Sequence, residues 1–178
     1  MSQFPLDDAR IAPDRRPAAP LRREGAATEL RPIVLVDDSD IDLFIATQCH
    51  ARSRIRNPLV VLRGGGAFLA YLDDRRRRKL APPALVLLDL DMPGLDGLAV
   101  LERLRMQEGF STPVRVMVMS HCDGREHDAQ AAGADAFTSK PSTVDGYVQF
   151  FEQLPLHWED VVFIDEPVLA EFDPFVSL

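Results

Sequence analysis

Lysine is almost absent from this chain: Lys79 and Lys140 stand against eighteen arginines among 178 residues. Cysteine is equally scarce. Cys49 and Cys122 sit in no CxxC or other metal-ligand spacing, and two thiols are too few for a disulfide scaffold, so a reducing, cytosolic setting fits. The four histidines, His50, His121, His127 and His157, show no ligand spacing either, which argues against a zinc site. Long hydrophobic runs are missing. The longest are about six residues, against the ~20 that cross a bilayer, so no membrane partner is expected. The N-terminus lacks the apolar stretch of a secretory signal. A positive charge balance is missing too. The formal net charge is -8, which argues against a nucleic-acid partner, because phosphate neutralisation needs clustered cations. Arg75 to Lys79 accordingly reads as a solvated helix end and loop. Gly64–Gly65–Gly66 is not a GxGxxG motif and reads as a turn. The sum is a soluble, cytoplasmic protein.

Apolar residues make up 46 % of the chain, enough for the core of one globular domain with tails. Residues 1–31 are rich in Pro, Ala, Arg and Asp without apolar periodicity, and read as a disordered tail. The pattern changes at residue 32. IVLVD (33–37) is a short β-branched run that predicts a buried parallel strand. DIDLFIATQCHA (40–51) predicts a helix with Ile41, Phe44 and Ile45 on one face, the apolar stripe that ordinarily meets a core. PLVVLR (58–63) predicts a second strand and AFLAYLDD (67–74) a second helix. ALVLLDL (84–90), VRVMVM (114–119) and ADAFTS (134–139) complete five strands. LAVLERLR (98–105) predicts a helix with Leu98, Leu101 and Leu104 inward. A short helix over 124–132 ends at Gly133, a C′ glycine. Val144, Tyr147, Val148, Phe151 and Leu154 mark a last amphipathic helix, capped by Ser142 or Thr143. Five strands alternating with five helices imply a doubly wound α/β sheet. Sites in such sheets form outside the carboxyl ends of the strands.

Those strand ends are polar. The first ends in Asp37–Asp38, the third in Asp89 followed by Asp91, the fourth in Ser120, and Lys140 follows the fifth. Three carboxylates gathered in one pocket repel each other unless a cation neutralises them. A hard divalent ion such as Mg²⁺ takes oxygen ligands and bridges to phosphate. A neighbouring carboxylate can then attack phosphorus, giving an aspartyl phosphate. Lys140 would offset charge on the transferring oxygens, and the Ser120 hydroxyl could donate to one of them.

The segments VLVDDSD, LLDLDMPGLDG, MVMS and FTSKP resemble, in order and spacing, the four signature blocks of response-regulator receiver domains, over residues 32–155. The resemblance implies a flavodoxin-like, five-stranded parallel sheet of order 2-1-3-4-5. It implies Asp89 as phosphoacceptor, Asp37 and Asp38 as the acidic pair holding Mg²⁺, and the backbone carbonyl of Asp91 as a further metal ligand. It implies Ser120 as the switch hydroxyl, Lys140 as the lysine before proline, and Phe137 as the rotating aromatic. The implied function is phosphoryl transfer from a sensor histidine kinase in a two-component relay, not metabolic catalysis. Three features depart from the pattern, one of them Asp91, which adds negative charge beside the site. His121 follows the switch serine where a small residue is usual, and its imidazole would hinder access to an acyl phosphate. Phe137 lacks a hydroxyl, so a switch there would rest on packing.

After the last helix, residues 156–178 carry six acids, no Lys or Arg, and Trp158, Phe163, Phe172 and Phe175. So many large apolar groups predict that part of this extension packs on the domain or on a second copy. It is too short for a DNA-binding effector. The stretch from KPST through HWED resembles regulators serving bacterial and cyanobacterial phytochrome kinases. That implies a bacteriophytochrome partner and a homodimer built on the last helices and the extension.

Two other readings compete. DLDMP echoes the DxDx(T/V) motif of haloacid-dehalogenase-like phosphatases, but Pro93 replaces Thr or Val, and an acidic strand precedes the motif. A pseudo-receiver acting without phosphorylation would fit the His121 departure alone.

Overall fold

The structure, a computed structural model, describes residues 30–164 except Glu108 and Asp123. The expected N-terminal tail therefore lies almost wholly outside the described residues, as does 165–178. Ten elements follow in strict alternation: β1 (Ile33–Asp37), α1 (Asp40–Arg52), β2 (Leu59–Arg63), α2 (Gly64–Arg77), β3 (Leu85–Asp89), α3 (Gly97–Met106), β4 (Val116–Ser120), α4 (Glu126–Ala131), β5 (Ala136–Ser139) and α5 (Val144–His157). The strands form one parallel sheet of order β2-β1-β3-β4-β5. This is the doubly wound architecture that the alternating pattern predicts.

β1, β3 and β4 are buried along their whole length, which is why they read as unbroken apolar runs. Alternate residues feed two separate cores. Ile33, Leu35, Leu85, Leu87, Met117 and Met119 face α1 and α5. Val34, Val36, Val86, Leu88, Val116 and Val118 face α2, α3 and α4. By that parity Asp37 and Asp89, next in the first series, project on the α1–α5 side.

The inward face of α1 differs from the expected one. Ile41 is 71 % exposed and Phe44 65 %, whereas Leu43, Ala46 and Cys49 are buried. The reason is the neighbour. α1 packs against α5 so closely that the Cys49 thiol reaches the Val144 carbonyl at 3.5 Å, and small residues suit that approach. In α3, Leu101 and Leu104 are buried with Val100, while Leu98 is half-buried. Gly64–Gly66 do not form a separate turn. Gly64, at φ +80°, turns the chain directly from β2 into α2. Gly133 closes α4 at φ +97°, and Thr143 caps α5 by accepting from the Gly146 amide at 3.0 Å.

The segment 158–164 packs on the domain. Trp158 and Val161 are buried in the α1–α5 core, and Phe163 makes an antiparallel bridge to Ile55. Asn57, 1 % exposed, ties this segment down. Its amide donates to the Arg31 and Asp160 carbonyls at 2.8 and 2.9 Å, and its Oδ1 accepts from the Val162 amide at 2.6 Å. These contacts precede β2, at the amino edge of the sheet, opposite the edge that carries the acidic residues.

Candidate functional site

The topological switch point of this sheet lies between β1 and β3, where the chain turns from building one side to building the other. Asp37 and Asp89 end those two adjacent strands. Ser39, the N-cap of α1, fixes the first loop: its amide donates to Asp37 Oδ1 at 2.9 Å and its Oγ accepts from the Asp42 amide at 3.3 Å. Asp38 is thereby held between strand and helix, half-buried. Carboxylate oxygens of Asp37, Asp38 and Asp89 lie within 4.8 Å of one another.

The loop after β3 is shaped by close backbone approach. Leu90 extends the sheet ladder by donating to the Met119 carbonyl at 3.2 Å, and the Gly97 amide donates back to the Leu90 carbonyl at 3.2 Å. A Cβ at Gly97 would stand 2.3 Å from the Asp89 carbonyl oxygen, so only glycine lets α3 begin here. Across the sheet, Lys140 donates its backbone amide to the Ser120 carbonyl at 2.9 Å. The four strand ends converge as expected. Asp37, Asp89, Ser120 and Lys140 make up, with Asn57, the buried polar residues of the described chain.

The Lys140 ammonium is the centre of charge. It lies 2.6 Å from Asp37 Oδ2, 2.8 Å from Asp42 Oδ2 and 3.7 Å from Asp89 Oδ2. The Asp37 contact is an ion pair without hydrogen-bond alignment, since that oxygen has no hydrogen-bond partner by geometry. Burial opposes the lysine's charge, but Asp37 and Asp42 outweigh it and hold its pKa above the ordinary lysine value. Burial also lifts the Asp89 carboxyl to about 6, with the Asp37 charge adding to the effect and Lys140 opposing it. Asp89 Oδ1 is buried without a hydrogen-bond partner. An orphaned carboxylate oxygen beside two further carboxylates is a hard-oxygen donor set that fits a divalent cation of the Mg²⁺ type.

The Ser120 hydroxyl donates to Asp91 Oδ2 at 3.0 Å. Asp91 in turn accepts from Arg125 at 2.9 Å, and Arg125 also reaches Asp96 at 3.4 Å. The Asp91 side chain is thus engaged by Ser120 and by Arg125 at the start of α4. Phe137 is half-buried against the second core. His121 is exposed, its Nε2 3.9 Å from Asp42 Oδ2. Sequence reasoning missed Asp42 and Arg125. Ser39-x-x-Asp42 has the spelling of a capping box, which hid a carboxylate that reaches across to β5 instead.

Comparison with known proteins converges on one family. Residues 33–152 match the response regulator receiver domain family. Response regulator Rcp1 of Synechocystis sp. is 26 % identical over 132 residues, covering 73 % of this chain and 90 % of Rcp1. Among solved structures, the bacteriophytochrome response regulator AtBRR superposes with a TM-score of 0.60 at 29 % identity, covering 78 % of this chain and 99 % of that one. Response regulator RPA3017 in red light signaling of R. palustris superposes with a TM-score of 0.61 at 32 % identity, covering 75 % of this chain and 99 % of that one.

Proposed function

The chain belongs to the response regulator receiver domain family, and on that premise we propose that Asp89 is its phosphoacceptor, with a sensor histidine kinase as donor. The observation that carries the assignment is Asp89 itself: 3 % exposed, with one oxygen unpartnered and the other facing Lys140 at 3.7 Å. A buried carboxylate with a free oxygen at the switch point of the sheet is placed for attack, not for structural pairing.

Receiver domains bind a divalent metal, and here we assign Mg²⁺ to Asp37, Asp38, Asp89 and the Asp91 backbone carbonyl. When bound, Mg²⁺ supplies positive charge against the clustered carboxylates and the phosphoryl oxygens. The remaining chemistry belongs to the chain. An Asp89 oxygen forms a bond to phosphorus as the bond from phosphorus to the kinase imidazole breaks, and the electron pair leaves with the imidazole nitrogen. Lys140 pairs with a phosphoryl oxygen. Ser120 leaves Asp91 and donates its hydroxyl to another. Phe137, lacking a hydroxyl, follows this movement by packing alone.

The donor assigned here is the kinase of a bacteriophytochrome. What supports it is likeness to AtBRR and RPA3017, which serve a bacteriophytochrome and red light signaling. We assign a receiver unit to residues 32–155 and a dimerisation arm to 156–178, the protein acting as a cytoplasmic homodimer. No helix among the described residues is long and apolar enough to cross a membrane. Trp158 and Val161 belong to the core, so sedimentation of a chain ending at Ile164 tests the arm without opening the domain. A shortened chain that dimerises as strongly as the full chain removes the arm from the interface.

Acetyl phosphate with Mg²⁺ tests the central assignment. The intact mass rises by one phosphoryl group on the native chain and not on Asp89→Asn. Absence of the adduct on the native chain overturns it.

A further inference from the structure

Lys140 has more anionic company than phosphoryl transfer requires. Of its three carboxylate neighbours, Asp37 and Asp89 belong to the acidic cluster, but Asp42 does not. Asp42 lies in the first turn of α1, and its backbone amide, not its carboxylate, takes part in capping that helix by donating to Ser39 Oγ at 3.3 Å. The Ser39 amide is already bound by Asp37 Oδ1, so the Asp42 carboxylate is free to cross to Lys140 at 2.8 Å. That distance is shorter than the 3.7 Å from Lys140 to Asp89. Burial would raise the Asp42 carboxyl, yet Lys140 outweighs it and holds its pKa below the ordinary carboxylate value. The pair is therefore a charged one, 2 % and 21 % exposed at its two side chains, where water screens it less than at the surface.

We propose that Asp42 is a positioning residue for phosphoryl transfer: it parks the Lys140 ammonium away from Asp89 and competes with the phosphoryl oxygens for it. The proposal rests on Asp89 being the phosphoacceptor. An ammonium has no fixed fork geometry and can move between partners. To reach an oxygen beyond Asp89 it must give up part of its contact with Asp42, and the strength of that contact subtracts from the binding of the phosphoryl group. Asp42 therefore sets how strongly the domain holds its phosphorylated state while touching neither metal nor phosphorus.

The test is a double-mutant cycle read by calorimetry and by the bound ¹⁹F signals of beryllofluoride, a mimic of the aspartyl phosphate, at saturating Mg²⁺. The native chain binds beryllofluoride and Asp89→Asn does not. Failure of that control removes the acceptor assignment and this proposal together, whereas the variants below address Asp42 alone. Asp42→Asn keeps the side-chain shape and removes the competing charge. It strengthens beryllofluoride binding by about 3- to 10-fold, the range of a partly screened ion pair. In a Lys140→Met background the same change has less than half that effect on the logarithm of affinity, because the lysine it acts through is gone. An equal effect in both backgrounds reduces Asp42 to a general contribution to the site's negative field and overturns the proposal. Unchanged or weakened binding in Asp42→Asn with Lys140 present overturns it as well.

Discussion

Asn57 donates its side-chain amide to the backbone carbonyl of Asp160, 103 positions further along the chain, at 2.9 Å. With its bonds to Arg31 and Val162, the side chain satisfies three backbone groups that otherwise have no ladder to join. Asn57→Ala would remove all three of these part-buried hydrogen bonds. Each is worth roughly 0.5–1.5 kcal/mol net, so the variant should lose about 2–4 kcal/mol of unfolding free energy in urea. Trp158, one residue past α5, should become more solvent-exposed and shift its emission to the red. A stability loss below about 1 kcal/mol would show that water replaces the asparagine.

The acidic cluster predicts a metal dependence of stability. Mg²⁺ added to EDTA-treated protein should raise Tm, because a ligand bound only by the folded state stabilises it by about 2.7 kcal/mol at 100 times Kd. Asp38→Ala removes one of the carboxylates assigned to the metal and should abolish most of the rise. Asp91→Ala should keep it, since that side chain bonds Ser120 and Arg125 and only its backbone carbonyl is assigned to the metal. Thermal melts of the three proteins with and without Mg²⁺ check this. Loss of the rise in Asp91→Ala would place that carboxylate, not the carbonyl, on the ion.

The sheet was legible because β1, β3 and β4 are buried on both faces and so leave unbroken runs of β-branched and aliphatic residues. The clustering of the candidate site was legible because a doubly wound sheet brings its strand ends to one edge, and Asp37, Asp89, Ser120 and Lys140 stand at those ends. The face of α1 was not legible. Ile41–Phe44–Ile45 and Leu43–Ala46–Cys49 are both at helical spacing, and the choice between them is made by the tightness of the contact with α5, which periodicity does not encode. Asn57 was invisible for another reason: a lone asparagine before a proline spells a turn, and its partners lie far off in the chain, Arg31 before β1 and Asp160 and Val162 beyond α5. Asp42 was hidden by a capping pattern that the fold uses differently.

Gly97 carries a prediction about site geometry. A methyl group there meets the Asp89 carbonyl oxygen at 2.3 Å and Leu90 Cα at 2.8 Å, both backbone atoms that cannot swing aside. Gly97→Ala should push α3 away from β3 and cost about 1–3 kcal/mol, as overpacking does. The larger effect should fall on phosphorylation. The displaced segment is the one that carries Asp89 and the Asp91 carbonyl, so the rate with acetyl phosphate should drop more than the folded fraction does. Gly94→Ala is the control. Gly94 has a positive φ of +82° but open space around it, so it should lose stability through backbone strain with less damage to transfer. Equal losses of transfer rate in the two variants would contradict the steric account.

His50 predicts how stability depends on acid. Its Nε2 is 3.0 Å from the Asn57 carbonyl, and its ring meets Phe151 edge-on with centroids 5.4 Å apart. Burial pushes its pKa below the ordinary histidine value, with the carbonyl bond opposing. The folded state therefore binds a proton less readily than the unfolded chain. Where the unfolded state holds more protons, stability rises with pH. The His50 contribution is thus complete above about pH 6.5, the ordinary histidine pKa, and is lost as pH falls below it. Asp42, held below the ordinary carboxylate value by Lys140, adds acid sensitivity of the same sign only at lower pH, below about 4. Asp89, lifted to about 6 by burial, works in the opposite direction over the same range, because its folded state binds the extra proton as pH falls. The difference between two proteins therefore isolates His50: between about pH 7.5 and 5.5 the urea midpoint of the native chain should drop relative to that of His50→Gln, whose amide can donate to the same carbonyl without titrating. Parallel pH dependences for the two proteins would show that the ring stays neutral, or equally charged, in both states.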